Sequence, residues 1–165
     1  MLKAPIPAND AERLAALREL LILDTPPEER FDRIVQFARG EFDVPIALLS
    51  LVDTERQWFK SCVGLDASET ARDISFCGHA ILQPEVLVVA DASKDVRFAD
   101  NPLVIGAPYI RFYAGAPLEL SPGVRVGTLC LISPQPREFD ATDIAILGTL
   151  RDLAVIELLG QQGED

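Results

Sequence analysis

The stretch Asp73-Ile-Ser-Phe-Cys-Gly-His-Ala-Ile81 gathers the sole histidine of the chain, one of its three cysteines and a helix start into nine residues. Ser75 predicts an N-cap for a short helix from Phe76 to about Leu82, with Pro84 just past its end. Upstream, Ile46 to Val52 is an apolar run of strand formers, too short for a typical helix. Gln57 to Val63 carries Trp58 and Phe59 and follows the polar link Asp53-Thr-Glu-Arg56, so the two runs predict an antiparallel hairpin. Downstream, Val86 to Ala90 reads as a third strand. Asp91-Ala-Ser-Lys-Asp-Val-Arg-Phe-Ala-Asp-Asn-Pro-Leu-Val104 then opens a polar connection that extends to Ala107. Asn101, with Pro102 behind it, predicts a capped helical turn there. A connection of that length in a compact domain is often a lid or a binding loop. Ile110-Arg-Phe-Tyr-Ala-Gly-Ala-Pro-Leu118 and Gly127-Thr-Leu-Cys-Leu-Ile132 lie within two further strands, Arg111 to Leu120 and Val124 to Ile132. Pro122 and Gly123 suit the centre of a type II turn between them. Pro117 removes a ladder donor and predicts a bulge.

Helices flank this strand-rich middle. Asp10 is expected to cap a helix from Ala11 to about Leu23, with Leu14, Leu17 and Leu21 at helical spacing and Arg13 off that stripe. Thr25, Pro26 and Glu28 have the spacing of a capping box for a second helix with Phe31, Ile34, Val35 and Ala38 on one face, ended by Gly40. Asp140 is expected to cap a last helix from Ala141 to about Leu159. That helix has two apolar faces. Ile144, Leu147, Leu150, Ala154 and Leu158 form one, and Ile146, Leu153 and Ile156 the other. A surface helix needs only one apolar stripe. The spare one, with Leu14, Leu17 and Leu21, predicts a parallel homodimer through the terminal helices. Strands in antiparallel hairpins covered by helices make an α+β fold.

Composition narrows the function. The chain has 165 residues, 48% of them hydrophobic, enough for one domain with a proper core. Its net charge of −11 repels phosphate backbones and anionic bilayers, so neither nucleic acid nor membrane is expected as a partner. Without a long apolar run or a signal-like N-terminus, a cytoplasmic location is expected. Cys62, Cys77 and Cys130 are far apart and include no Cys-x-x-Cys, which favours reduced, buried thiols over a metal site.

The four segments quoted above, in that order and spacing, resemble the GAF domain of bacterial sensor kinases and diguanylate cyclases. The resemblance spans roughly Phe31 to Leu159. It implies a PAS-related central antiparallel sheet of five to six strands, terminal helices on one face and a ligand cavity on the other. The organisation expected is an N-terminal helical segment over 1–30, the GAF domain over 31–159 and a short tail over 160–165. It further implies a small-molecule-binding regulatory domain that relays ligand state through its terminal helices to a fused or separate effector. Two alternatives stand beside it: a cysteine-dependent reductase resembling free methionine sulfoxide reductases, and a ligand-free dimerisation module. The nearest stretch to the Asn-Lys-x-Phe-Asp motif of cyclic-nucleotide-binding GAF domains is Lys94-Asp-Val-Arg-Phe98, which does not reproduce it.

Candidate cavity residues follow from chemistry. Trp58, Phe76, Phe98 and either Phe112 or Tyr113 could line an apolar pocket. Those last two point to opposite faces of a strand, and the Tyr113 hydroxyl makes it the better choice. Arg97 and Arg111 are the cations expected nearest the cavity, with salt bridges to Asp95 or Asp100 as their simpler role. Cys77 lies in a first helical turn, where a thiolate is stabilised. His79 is the only side chain with an ordinary titration near neutral pH. No residue is assigned to catalysis or to a metal, and no cofactor is named.

Overall fold

The computed structural model describes residues 2–163, with side chains through residue 160. Helices α1 (Asp10–Glu19) and α2 (Glu29–Phe42) lead into strands β1 (Ile46–Val52), β2 (Arg56–Val63) and β3 (Glu69–Ala71). Helix α3 (Phe76–Ala80), strand β4 (Leu87–Val89) and helix α4 (Pro102–Ile105) precede the long strands β5 (Phe112–Ser121) and β6 (Val124–Ser133). Helix α5 (Ala141–Gly163) closes the fold. All six strands join one antiparallel sheet in the order β3-β2-β1-β6-β5-β4. The GAF-like α+β architecture expected from the sequence is the one observed. The short edge strand β3 lacks the length and apolar content that would mark it in the sequence.

The sheet is buried on both faces, which is why β1 reads as apolar sequence interrupted only by Ser50 despite its antiparallel neighbours. Along β1, Ala47, Leu49 and Leu51 enter the helix-side core, while Ile46, Leu48 and Val52 enter the core on the other face. Along β5, Phe112, Ala114, Ala116 and Leu118 face the helices, and Tyr113 faces the opposite side. The helix-side core receives Leu14 and Leu17 from α1, Phe31, Val35 and Ala38 from α2, and Leu147, Leu150, Ala154 and Leu158 from α5. Burying a side chain of this size contributes about 2 kcal/mol. The bulge expected at Pro117 is present between Pro117 and Glu119, and Gly123 adopts φ 80° in the β5–β6 turn.

Helix ends depart from expectation for identifiable reasons. Helix α1 begins at Asp10 and ends at Glu19, and Leu21 follows in a left-handed turn at φ 54°. Asp10 caps nothing. Its carboxylate accepts from Arg13 Nε at 2.9 Å and from Arg72 Nη2 at 2.8 Å. Arg13 therefore lies buried, bonded also to the Val52 carbonyl at 2.7 Å, where the sequence had suggested a solvated face. Thr25 does not cap α2, and Glu28 forms no capping box. Buried Lys60 draws both side chains to itself, its Nζ lying 2.8 Å from Thr25 Oγ1 and 2.7 Å from Glu28 Oε2. Helix α2 passes through Gly40 and ends at Asp43 in the left-handed conformation. Ser75, Asn101 and Asp140 cap as expected, their side chains accepting from Gly78 N, Leu103 N and Asp143 N. Helix α5 continues through residues 160–163 of the expected tail, and 164–165 lie outside the described residues, as does Met1.

The expected interface stripe also needs correction. Leu14 is 8% exposed and Leu17 fully buried within the monomer, because α1 lays both against the sheet. Ile146 packs half-buried on the same core. Leu153 and Ile156 remain 47% and 64% exposed, and Leu21 is exposed in its turn.

Candidate functional site

On the face away from the long helices, β1, β2, β5 and β6 form a floor, and the segment from Asp91 to Ile110 folds over it. Three anchors hold that segment. The Asn101 amide donates to the Ile74 carbonyl at 3.0 Å. The Phe98 ring stacks on Phe76 with centroids 4.1 Å apart and planes 8° from parallel. Arg111 donates to the Val104 and Ile110 carbonyls at 2.9 Å each. Between floor and cover lies a cavity of about 30 Å³. Leu48, Phe59, Phe76, Leu103, Ile110 and Ile132 supply apolar walls, and Gln57, Thr70, Cys77, Tyr113 and Cys130 the polar atoms. The volume matches one water molecule. A depression of about 520 Å³ bordered by Gln36, Arg39 and Asp43 is larger, but it is a surface concavity at the end of α2, remote from these groups.

The polar side of the cavity is a buried network. The Tyr113 hydroxyl donates to Cys77 Sγ at 3.3 Å, and Thr128 Oγ1 lies 3.0 Å from the same sulfur. Tyr113 reaches it because its ring lies across Gly115, where any Cβ would collide with the phenol. Cys77 and Cys130 both border this cavity, and each shifts the titration of the other. Burial alone would push the Cys77 thiol up. Donors on Cys130, Thr128, Tyr113 and Ser50 outweigh it and bring the thiol down to about 6. The neighbouring Cys77, together with burial, drives Cys130 the other way, so Cys77 is the first of the pair to ionise. Burial likewise holds the Tyr113 phenol protonated, well above its ordinary range.

The expected site residues divide into three sets. Phe76, Cys77 and Tyr113 line the cavity, with Phe98 directly behind Phe76. His79 packs its ring edge on Phe98, centroids 4.8 Å apart, outside the lining. Burial and the nearby Arg97 charge lower its pKa, so the imidazole is neutral at physiological pH. Arg97 pairs with Asp95 through contacts of 3.0 and 2.8 Å, and Arg111 is committed to main-chain carbonyls. Neither reaches the cavity. Trp58 lies in the helix-side core, on the wrong face of β2, whereas its neighbour Phe59 lines the cavity. Sequence reasoning missed Gln57, Thr70, Thr128 and Cys130 as cavity neighbours. The i, i+2 spacing of Thr128 and Cys130 on one strand was the available signal. Among the described residues, no group of three His, Cys, Asp or Glu side chains is placed to hold a metal ion. Among the described residues, no helix is long and apolar enough to cross a membrane.

With this architecture in view, comparison with known proteins is direct. Residues 26–158 match the GAF domain family, and the chain belongs to it. A cyclic di-GMP phosphodiesterase of Pseudomonas aeruginosa is 45% identical over 148 residues, covering 89% of this chain but 25% of that protein. The chain thus spans about a quarter of the length of this curated relative. Among solved structures, the GAF domain of an Acinetobacter phosphoenolpyruvate-protein phosphotransferase superposes with a TM-score of 0.67 at 18% identity, covering 96% of this chain and 97% of that one. Free methionine-R-sulfoxide reductase of Neisseria meningitidis, solved with its substrate, gives 0.63 at 19% identity, with 99% and 98% covered. At such identities these two likenesses concern the fold alone.

Proposed function

We propose that this chain is a cytoplasmic sensory GAF module whose cavity admits a small uncharged molecule and whose terminal helices relay occupancy to an effector. The observation that carries this is the cavity wall itself: apolar surface, hydroxyl, amide and thiol groups, and no cation or carboxylate. An anionic ligand entering it would lose its hydration without gaining a countercharge. The similarity to a cyclic di-GMP phosphodiesterase supports cyclic di-GMP turnover as the output, carried by a domain outside this chain. The cavity is too small for a nucleotide or an amino acid unless the Asp91 to Ile110 cover lifts. Ligand binding therefore requires a second, open state, and only differential affinity for that state can transmit a signal. A homodimer through the exposed face of α5 supplies the relay, with Leu153 and Ile156 at its centre.

A thermal-shift series tests the ligand class. Small neutral molecules are expected to raise Tm in proportion to the logarithm of concentration above their Kd. Cyclic nucleotides and cyclic di-GMP are expected to leave Tm unchanged. A Tm rise with a cyclic nucleotide, in the absence of any response to neutral compounds, overturns the proposed ligand class.

A further inference from the structure

The thiols of Cys77 and Cys130 line one water-sized cavity, and Thr128, two residues before Cys130 on the same face of β6, lies 3.0 Å from the Cys77 sulfur. We propose that the two thiols form a peroxide-oxidisable dithiol, converted to an intramolecular disulfide by hydrogen peroxide that enters the cavity. This holds whether or not the cavity accepts another ligand.

Geometry selects both the pair and the oxidant. Leu48 on β1 is the register partner of Cys62 on one side and of Cys130 on the other. Cys62 and Cys130 are thus two strand spacings apart, about 9–10 Å, beyond the ~7 Å Cα separation a disulfide tolerates. Cys62 also spends its thiol on the Leu65 carbonyl at 3.0 Å. Cys77 sits on α3 above β6, its sulfur sharing the cavity with Cys130 and contacted by the Tyr113 and Thr128 hydroxyls. These hydroxyls stabilise negative charge on Cys77 and make it the attacking sulfur. A cavity of about 30 Å³ excludes organic peroxides and bulky disulfides, while hydrogen peroxide is close to water in size.

The steps balance. The Cys77 thiolate attacks one peroxide oxygen, an S–O bond forms and the O–O bond breaks. The leaving hydroxide takes the proton released by the Cys77 thiol and becomes water. Cys130 sulfur then attacks the Cys77 sulfenic acid, the S–S bond forms and the S–O bond breaks. The sulfenic oxygen departs with the Cys130 proton as a second water. Two thiols lose two electrons, and one peroxide is reduced to two waters. The new bond, near 2.05 Å, ties α3 to β6 and draws the two together. Ile74, one residue before the Ser75 cap of α3, holds the Asn101 amide of the cover, so the pull reaches the lid.

The experiment exposes the reduced full chain to hydrogen peroxide, then alkylates and maps it without reductant. Titratable thiols under denaturing conditions are expected to fall from three to one. The mass should drop by two hydrogens, and one peptide pair should link Cys77 to Cys130. Cys62→Ser should oxidise as the wild type does. Cys130→Ser should stop at the sulfenic acid and give a dimedone adduct on Cys77. Three thiols surviving peroxide that oxidises free cysteine, a link involving Cys62, or modification of Cys62 ahead of Cys77 each overturns the proposal. If Cys130→Ser fails to fold, the wild-type peptide map decides alone.

Discussion

Asp10 shows how one side chain can be read correctly in type and wrongly in role. Its carboxylate sits between two buried guanidiniums, Arg13 at 1% and Arg72 at 2% exposure. Arg72 continues to the Asp53 carbonyl at 3.0 Å, so the trio ties α1 to the β1–β2 turn and to the segment leading into α3. Removing the central charge leaves two buried cations unpaired, and Asp10→Asn is expected to cost about 3 kcal/mol. For a chain of this size that lowers Tm by roughly 10 °C. Burial alone would raise the Asp10 pKa, but hydrogen bonds from Arg72 and Arg13 prevail and hold it below its ordinary 3.8. Between the folded value and 3.8 the unfolded chain binds more protons, so stability increases with pH there. This contribution is complete above 3.8 and vanishes as pH falls through the folded value. Across thermal melts from pH 7 to pH 2, the gap between wild type and Asp10→Asn should therefore narrow once pH falls below 3.8. A constant gap across that range would remove Asp10 as the linked group.

Among the elements, the cover from Asp91 to Ile110 is the one built to move. It contains a short 3-10 turn at Ala92–Lys94 and the four-residue helix α4, neither long enough to be stable without packing. Its buried side chains are Ala92, Phe98, Asn101, Val104 and Ile110, while Val96, Ile105 and Tyr109 are exposed. Strands β1 and β6 are buried almost throughout and are paired on both sides. Amide hydrogen exchange is expected to be markedly faster over residues 91–109 than over Ile46–Val52 and Val124–Ser133. Equal protection across these segments in the ligand-free chain would mean that the cover does not open below global unfolding.

For the whole molecule, the remaining question is how a change at the cavity leaves the domain. Helix α5 packs against β5 and α2 through Leu147, Leu150, Ala154 and Leu158 and turns Leu153 and Ile156 outward. These two side chains border a groove shared with Arg30, Arg33 and Ile34 of α2. An exposed apolar ridge flanked by charges fits a two-fold contact in which each copy presents the same patch. Leu153→Glu is expected to shift sedimentation at micromolar concentration from dimer to monomer while leaving the melting profile of the monomer intact. A wild type that already sediments as a monomer, indistinguishable from the variant, removes the α5 relay.

Periodicity in the sequence determined the number and type of the main elements. Alternation along Phe112-Tyr113-Ala114 put Phe112 and Tyr113 on opposite faces, the Tyr113 hydroxyl favoured it for the cavity, and Ser75, Asn101 and Asp140 marked their helix starts, because these signals are local. Pro117 and Gly123 announced a bulge and a turn for the same reason. Only the tertiary structure decided which face of β2 carries Trp58, since a strand pattern apolar on both sides has no preferred face until the sheet is sandwiched. It also decided the partners of charge: Arg13, Lys60 and Arg72 are buried because acids and carbonyls distant in sequence meet them. The shared cavity brings Cys77 on a helix together with Cys130 on a strand 53 positions later. No local preference encodes such a meeting. It arises when the sheet and α3 close on each other and their buried polar atoms must find partners.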